Sequence, residues 1–206
     1  MNKRSISVLV VTVALGLNLS ACAGASTSPA ASVSVEPLVP TTPSATATVD
    51  KSPRGNFIKE VGKSAGITNK DTERIVNFTV NSITPDAPCT GPYAQPVVNG
   101  HVVVLDVSIE TFPALADPNG GYSEFDMNAG MFKFVGTNGT TFNGDLNTQG
   151  AYMCLADEES ISHNGRGIGP AEKVTGKIAL DVPESHGTLI FKSHLTSGST
   201  GWEWTF

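Results

Sequence analysis

The sequence predicts an all-β fold, an antiparallel β-sandwich that follows a disordered N-terminal tether. In residues 56–206, apolar and polar residues alternate in about seven to nine short runs that are rich in β-branched and aromatic residues. Turn-forming pairs such as Asn-Gly and Gly-Pro separate these runs. A chain of this length can bury about 70% of its extended surface, which is enough for one sandwich with a single core.

The first 22 residues have the pattern of a bacterial lipoprotein signal. Lys3 and Arg4 precede an uncharged apolar run over residues 5–17, which is shorter than the roughly 20 residues of a membrane-spanning helix. Small residues stand directly before Cys22. This pattern predicts cleavage after residue 21 and acylation of Cys22 with palmitate-type chains, so that the lipid holds the protein on the extracytoplasmic face of the cell membrane. The alternative is an ordinary secreted protein in which Cys22 follows the cleavage site by chance.

A disordered tether is predicted after the lipid anchor. The 33 residues from 23 to 55 include 22 Ala, Ser, Thr and Pro and no aromatic residue. They cannot bury enough apolar surface to offset the entropy of ordering the chain. The predicted organisation is therefore a signal peptide over residues 1–21, a lipidated cysteine and tether over 22–55, and a sandwich domain over 56–206.

The predicted strands of the domain follow one another along the chain. The clearest have apolar residues at every second position, as in residues 76–80 and 103–110. Asn138-Gly139 between two apolar pieces predicts a hairpin with a two-residue type I′ turn. Residues 58–65 and 71–74 are short helix candidates. Further strands are predicted over residues 132–135, 140–142, 152–155, 174–182, 189–191 and 202–206.

Two cysteines remain in the domain once Cys22 is assigned to the lipid. Cys89 and Cys154 then have one possible pairing, and export places them in a compartment where disulfides persist. The bridge would close a loop of about 65 residues and contribute on the order of 4 kcal/mol in the chain-entropy model. We therefore predict a Cys89–Cys154 disulfide, with two buried free thiols as the alternative.

Five segments carry a resemblance to known proteins. They are CTGP at 89–92, NGHVVVLDV at 99–107, YMCL at 152–155, GPAEKVTGKIALDVP at 169–183 and GWEW at 201–204. In these segments the chain resembles actinobacterial surface lipoproteins with a domain of unknown function, which are similar in fold to the mycobacterial immunoprotective extracellular antigen. The resemblance implies an immunoglobulin-like sandwich over roughly residues 70–206 and a surface location. It implies no established chemistry and no functional residues.

Composition and motifs argue against several classes of function. The net charge of −6 is unfavourable for binding the phosphates of nucleic acids. Ser199 is not part of a nucleophile elbow, and the histidines at 101, 163, 186 and 194 do not follow the order of a catalytic triad. His186 and His194 are also too far apart for a zinc motif. We expect no enzyme activity, no cofactor and no nucleic-acid partner.

One acidic stretch is similar to the start of a calcium-binding loop. Residues 145–150 have the sequence DLNTQG, but position 12 of the loop would be Ala156, where a bidentate Glu is required. Carboxylates at 157–159 lie just beyond. An acidic turn at the end of a strand is the simpler interpretation, so that no metal is predicted and a calcium-dependent binding module is a remote alternative.

The aromatic C-terminus is interpreted as core. Trp202, Trp204 and Phe206 share one face of the predicted terminal strand, which indicates burial in the sandwich, with a ligand-binding platform as the alternative.

The predicted function is a monomeric, non-catalytic binding domain for another envelope or extracellular component. The loop over residues 117–128 is long, polar and aromatic-bearing, and such loops often carry function. Asp117, Asn119, Tyr122 and Glu124 are its candidate contact residues. The alternative is a purely structural or accessory envelope lipoprotein without a ligand.

Overall fold

In the computed structural model, which describes residues 50–116, 123–161, 167–196 and 200–206, the chain folds as a sandwich of two β-sheets. Its strands are β1 (Phe57–Ile58), β2 (Ser64–Thr68), β3 (Arg74–Pro85), β4 (His101–Thr111), β5 (Phe132–Gly136), β6 (Lys173–Val182), β7 (Gly187–Phe191) and β8 (Trp202–Thr205). The first sheet has the order β1-β8-β7-β5 and the second the order β2-β3-β4-β6. Neighbouring strands are antiparallel except for the parallel pair β1 and β8. The predicted all-β sandwich is confirmed.

Helical structure in the described ranges consists of single turns. Two 3₁₀ turns span Pro113–Leu115 and Ala129–Met131, and an α-helical turn, α1, spans Gln149–Tyr152. Within the described residues, no helix has the length and apolar character needed to span a membrane.

Phe78 of β3 lies at the centre of the core between the two sheets. It is 1% exposed, and its ring centroid lies 5.4 Å from that of Phe191 in β7 and 4.9 Å from that of Trp202 in β8. Edge-to-face pairs of this kind contribute about 0.5–1.5 kcal/mol beyond the area that they bury. Val76 and Val80, two positions away on either side, are fully buried. The alternation of apolar and polar residues along β3 therefore determines which face of this strand packs against the first sheet.

The terminal strand β8 buries its aromatic face, as the sequence predicts. Trp202 and Trp204 are 4% and 1% exposed, and Phe206 packs against the same core. On the opposite face of β8, Thr205 is exposed. Glu203 on that face is nevertheless buried, because the chain that precedes β1 covers it. The aromatic ending is part of the core and not a ligand platform.

Residues 58–65, a helix candidate in the sequence, form β1, a turn and the start of β2 instead. Ala65 and Ile67 are each 5% exposed and pair with Phe78 and Val76 of β3. This pairing satisfies the backbone and buries both side chains, and it outweighs the local preference for helix.

Residues 71–74, the second helix candidate, lie mainly in the turn between β2 and β3. The side-chain oxygen of Asn69 accepts hydrogen bonds from the N–H groups of Asp71 and Glu73, each at 3.0 Å. Thr72 has a positive φ of 66°, which is incompatible with a right-handed helix. The asparagine turn therefore replaces the predicted helix.

Residues 152–155, predicted as a strand, form the end of α1 and the turn that follows it. The helical turn begins after Thr148, whose hydroxyl accepts a hydrogen bond from the N–H of Ala151. The stretch is apolar because Cys154 and Leu155 pack against the outer face of the second sheet. The strand prediction was wrong because the apolar character of this stretch reflects burial against the sheet and not pairing with another strand.

Asn138-Gly139 reverses the chain after β5, but with a different turn from the one predicted. The N–H of Gly139 donates to the carbonyl of Gly136, and the N–H of Gly136 donates to the carbonyl of Thr140, both at 2.9 Å. In this turn only Gly139 has a positive φ, of 83°. The loop is therefore the three-residue kind with one left-handed glycine, not a type I′ turn. The strand predicted after it is reduced to one β-bridge from Thr141 to β5.

Residues 50–55, which the sequence assigned to the tether, pack on the first sheet. Ser52 is 7% exposed. The guanidinium of Arg54 donates to both carboxylate oxygens of Glu203, at 2.8 and 3.2 Å. The two residues are 149 positions apart in the sequence, so no pattern of neighbouring residues predicts their contact. The predicted boundary at Asn56 therefore cuts through the folded domain.

Candidate functional site

Most of the predicted site residues lie outside the described residues. This holds for the lipid attachment residue Cys22 and for three contact residues of the 117–128 loop, Asp117, Asn119 and Tyr122. Their roles stay predictions. Glu124, the fourth contact residue, is described and exposed.

Two residues in the second half of the predicted contact loop belong to the core. Phe125, directly after Glu124, is fully buried and forms a β-bridge with Ile168. Met127 is 4% exposed and also lies in the core cluster. Because the residues next to Phe125 and Met127 are polar, the burial of these two positions was not predicted from the sequence. The contact surface predicted over 117–128 is therefore wrong for Phe125 and Met127.

The predicted disulfide between Cys89 and Cys154 is present. The two Cα atoms are 4.5 Å apart, and Cys154 is fully buried. The N–H groups of Thr90 and Gly91 both donate to the carbonyl of Cys154, at 2.8 and 2.9 Å. The alternative of two free thiols is wrong, and so is the placement of Cys154 within a strand, since it follows α1.

A second, smaller core lies on the outer face of the second sheet. Cys154 packs there against Val104 of β4 and Ala179 of β6. Val104 is only 8% exposed although it points away from the main core. The side chains that cover it come from two segments joined by the disulfide, residues 87–99 and 145–159, which we call the disulfide layer.

Asp181 of β6 connects both segments of the disulfide layer to the second sheet through hydrogen bonds. Its fully buried carboxylate accepts hydrogen bonds from the N–H groups of Val98 and Asn99, at 2.8 and 3.0 Å, and from the hydroxyl of Thr148 at 2.7 Å. Its own N–H donates to the carbonyl of Leu146 at 2.9 Å. A buried carboxylate is stable only with such donors. The aspartate of the GPAEKVTGKIALDVP segment therefore has a structural role.

Glu159 makes a second connection between the disulfide layer and the sheet. It accepts hydrogen bonds from the ammonium group of Lys177 in β6, at 2.6 Å, and from the hydroxyl of Thr90. The hydrogen bond from Lys177, followed by that from Thr90, lowers the pKa of Glu159 below its ordinary value. Because Thr90 is next to Cys89, this carboxylate couples the disulfide to β6.

Two glycines let the segments of the disulfide layer run side by side. A Cβ atom on Gly91 would lie 2.4 Å from the carbonyl oxygen of Met153, and one on Gly150 would lie 2.6 Å from that of Pro96. Backbone atoms cannot yield to such contacts as easily as the ends of flexible side chains. These two close approaches, Gly91 to Met153 and Gly150 to Pro96, also show that the segment before Pro96 runs antiparallel to the segment that contains α1.

Apolar side chains project from this layer into solvent. Tyr93, Val98 and Tyr152 are 72%, 78% and 45% exposed, and we call them the apolar surface of the layer. Sequence reasoning missed this surface because Tyr93 and Val98 belong to no alternating run and Tyr152 was assigned to a predicted strand. The one available signal was a tyrosine between Pro92 and Pro96, close to a predicted disulfide.

Comparison with solved structures gives one likeness in fold. The chain is similar to a secreted protein from Mycobacterium tuberculosis, MPT63. The match covers 73% of this chain and 98% of that chain, with 17% sequence identity and a TM-score of 0.47. A similarity in fold to a secreted mycobacterial protein was expected from the sequence. No family model and no curated protein matches the chain.

Carboxylates of the candidate calcium loop and the histidine His101 are held by hydrogen bonds or ion pairs to other side chains or to the backbone. Asp145, in the candidate calcium loop, accepts a hydrogen bond from the N–H of Asn147 at 2.8 Å, while Glu159 is held by the contacts given above. His101 pairs with Asp86 at 2.7 Å on the surface. Among the residues that the structure describes, no group of three or more His, Cys, Asp or Glu is placed to hold a metal ion.

Proposed function

We propose that the protein is a lipid-anchored, extracytoplasmic and non-catalytic binding domain. In this proposal, it contacts another envelope or extracellular protein through the apolar surface formed by Tyr93, Val98 and Tyr152. In the same proposal, the protein does not form homo-oligomers and requires no cofactor.

The extracytoplasmic location is supported by two independent features. The first is the lipoprotein signal pattern that ends at Cys22. The second is the Cys89–Cys154 disulfide, because structural disulfides persist in oxidising compartments and are rare in the cytosol. Acylation with two or more chains would give stable attachment to the membrane, whereas one chain gives marginal binding.

Binding through the disulfide layer rests on a single observation, the exposure of Tyr93 and Val98 on a layer held by a covalent bond. Tyrosine supplies a large, amphipathic contact area with few rotatable bonds and is enriched in protein interfaces. The disulfide and the hydrogen bonds to Asp181 hold the layer in place before binding. A partner therefore loses little affinity to the ordering of this surface.

Site-specific photo-cross-linking in intact cells tests the proposed interface. A photoreactive phenylalanine analogue at position 93 is expected to give a discrete cross-linked species. Tyr152→Ser in the same chain should remove most of that species, because it deletes part of the same surface. The unfolding midpoint of each variant, measured alongside, confirms that the domain is folded.

Position 124 provides the comparison, because Glu124 is exposed and is itself one of the loop contact residues predicted from the sequence. If the analogue at 124 captures the partner and the analogue at 93 does not, the interface lies at that loop. If neither position captures a partner, the protein is a structural or accessory lipoprotein and the binding proposal is wrong.

The anchor is tested separately by Cys22→Ser. The acyl acceptor is the thiol itself, so the variant should move from the detergent phase to the aqueous phase in a phase-partitioning assay. A variant that still partitions like the parent would show that Cys22 does not carry the lipid.

A further inference from the structure

A groove of about 400 Å³ opens between β1 and β2, the edge strands of the two sheets. We call it the edge groove. The groove lies at the β2 edge of the second sheet, whereas the disulfide layer covers β4 and β6 towards the opposite edge. Its lining includes Phe57, Lys59, Ser64, Arg74, Asn77 and Trp202.

Two cationic side chains, those of Lys59 and Arg74, line the edge groove, and neither has a counterion among the residues that the structure describes. The ammonium group of Lys59 donates to the carbonyl of Ser64 at 2.9 Å. In the described part of the chain, no ion pair involves Lys59 or Arg74, and the side chains of Arg74 and Asn77 make no hydrogen bond. Burial, and then the nearby charge of Arg74, lower the pKa of Lys59. Both side chains line the same groove, so their positive charges repel each other.

Gly66 of β2 makes room for the Arg74 side chain. A Cβ atom at this position would lie 1.7 Å from Nη1 of Arg74 and 2.8 Å from Oδ1 of Asn77. The guanidinium thus lies directly over the β2 backbone. Because Gly66 pairs with Asn77 across the two strands, a guanidinium and a carboxamide with free hydrogen-bonding capacity share one site.

The charge distribution along the chain singles out this edge of the sandwich. Residues 50–74 carry six of the 13 lysines and arginines and four acidic residues. Residues 75–206 carry five basic and fourteen acidic residues. Because Arg54 is already paired with Glu203, five basic and four acidic residues of this segment remain, so a negatively charged ligand is repelled by most of the domain but not by the segment that forms the edge groove.

We infer that the edge groove binds an oxyanion, a carboxylate or a phosphate, carried on a small organic molecule. The planar fork of Arg74 can bond two oxygens of such a group, and Lys59 adds a point charge. The amide of Asn77 supplies a further donor. The ring of Phe57 offers an apolar wall for the uncharged part of the ligand. The volume lies at the lower end of the range of about 300–1,000 Å³ for small-molecule sites.

Isothermal titration of the full chain in detergent micelles tests this inference with three probes. Glucuronate supplies a carboxylate, glucose 6-phosphate supplies a phosphate, and glucose supplies neither. Saturable binding of either oxyanion, with no binding of glucose, is expected, and the stronger of the two identifies the oxyanion. A dissociation constant above about 10 mM for both would overturn the inference.

Matched variants locate the binding. Arg74→Gln and Lys59→Gln should each raise the dissociation constant by about tenfold or more, because a charged hydrogen bond is lost. Lys63→Gln removes an equal charge from the exposed β1–β2 turn outside the groove, and it should change the constant by less than about twofold. An equal loss for Lys63→Gln would mean diffuse attraction and would refute the site.

Gly66→Ala gives a second test that keeps every charge. The new methyl group must displace the flexible end of Arg74, so the domain should remain folded while oxyanion binding weakens. An unchanged unfolding midpoint together with unchanged binding would contradict the assigned role of Arg74. Because all of these assays use purified protein and small molecules, they succeed or fail independently of the proposed partner at Tyr93.

Discussion

Replacement of Asp181 by asparagine tests how the disulfide layer is attached to the sandwich. The buried carboxylate accepts hydrogen bonds from three donors, the N–H groups of Val98 and Asn99 and the hydroxyl of Thr148. Asparagine has nearly the same shape but only one acceptor oxygen. Whichever way the carboxamide is oriented, one of the two backbone N–H groups faces an NH₂ group and loses its acceptor.

The magnitude follows from these contacts. A buried donor without a partner costs about 1–3 kcal/mol, and the bonds that remain lose the contribution of the carboxylate charge. We expect Asp181→Asn to reduce the free energy of unfolding by about 2–4 kcal/mol. For a domain of this size the unfolding midpoint then falls by roughly 5–15 °C.

Thermal unfolding followed by circular dichroism measures the global effect, and hydrogen–deuterium exchange locates it. Exchange should accelerate in residues 91–99 and 145–152 before it does in β3 or β4. Asp106→Asn is the control, because Asp106 is a neighbouring carboxylate whose contact with Asn81 lies at the surface. If both variants lose the same small amount of stability, below about 0.5 kcal/mol, Asp181 does not anchor the layer.

Three further predictions concern stability. Cys89→Ser should destabilise the domain by up to about 4 kcal/mol, measured by denaturant unfolding, and reduction of the parent should reproduce the loss. For Glu203, burial is the largest single influence and raises the pKa, but the hydrogen bonds led by Arg54 together lower it below the ordinary 4.5. The corresponding stability is present above pH 4.5 and lost as the pH falls through the lowered pKa, and Arg54→Gln should weaken this dependence in unfolding midpoints recorded against pH. A chain that starts at Asn56 should unfold at a lower temperature than one that starts at Asp50, since it lacks the ion pair with Glu203; equal midpoints would contradict that packing.

The main strands were predictable because the signal that forms them is local. In β3 and β4 every second residue is apolar, and these side chains are the ones that fill the core. The same logic placed Trp202 and Trp204 inside the sandwich. The disulfide was predictable for a different reason, since only one pairing remained for Cys89 and Cys154.

Elements without alternation could not be assigned in this way. Residues 152–155 are apolar because they cover the outer face of β4 and β6, and the sequence does not distinguish this from the pairing of a strand. Residues 58–65 gave no clear period, and pairing with β3 decided their conformation. In both cases a contact with another part of the fold was stronger than the local preference.

By itself, the sequence determined which residues of the main strands fill the core of this protein, because burial on one face of a strand leaves a period of two in the chain. Only the tertiary structure decided which segments cover the outer faces of the two sheets. Asp181 meets Val98 across 83 positions, and Arg54 meets Glu203 across 149. Such contacts depend on the directions and separations of side chains after folding, which no spacing in the sequence records. The exposed tyrosines of the disulfide layer and the two cations that line the edge groove are positions of the same kind, since both are defined by what the surrounding fold leaves uncovered.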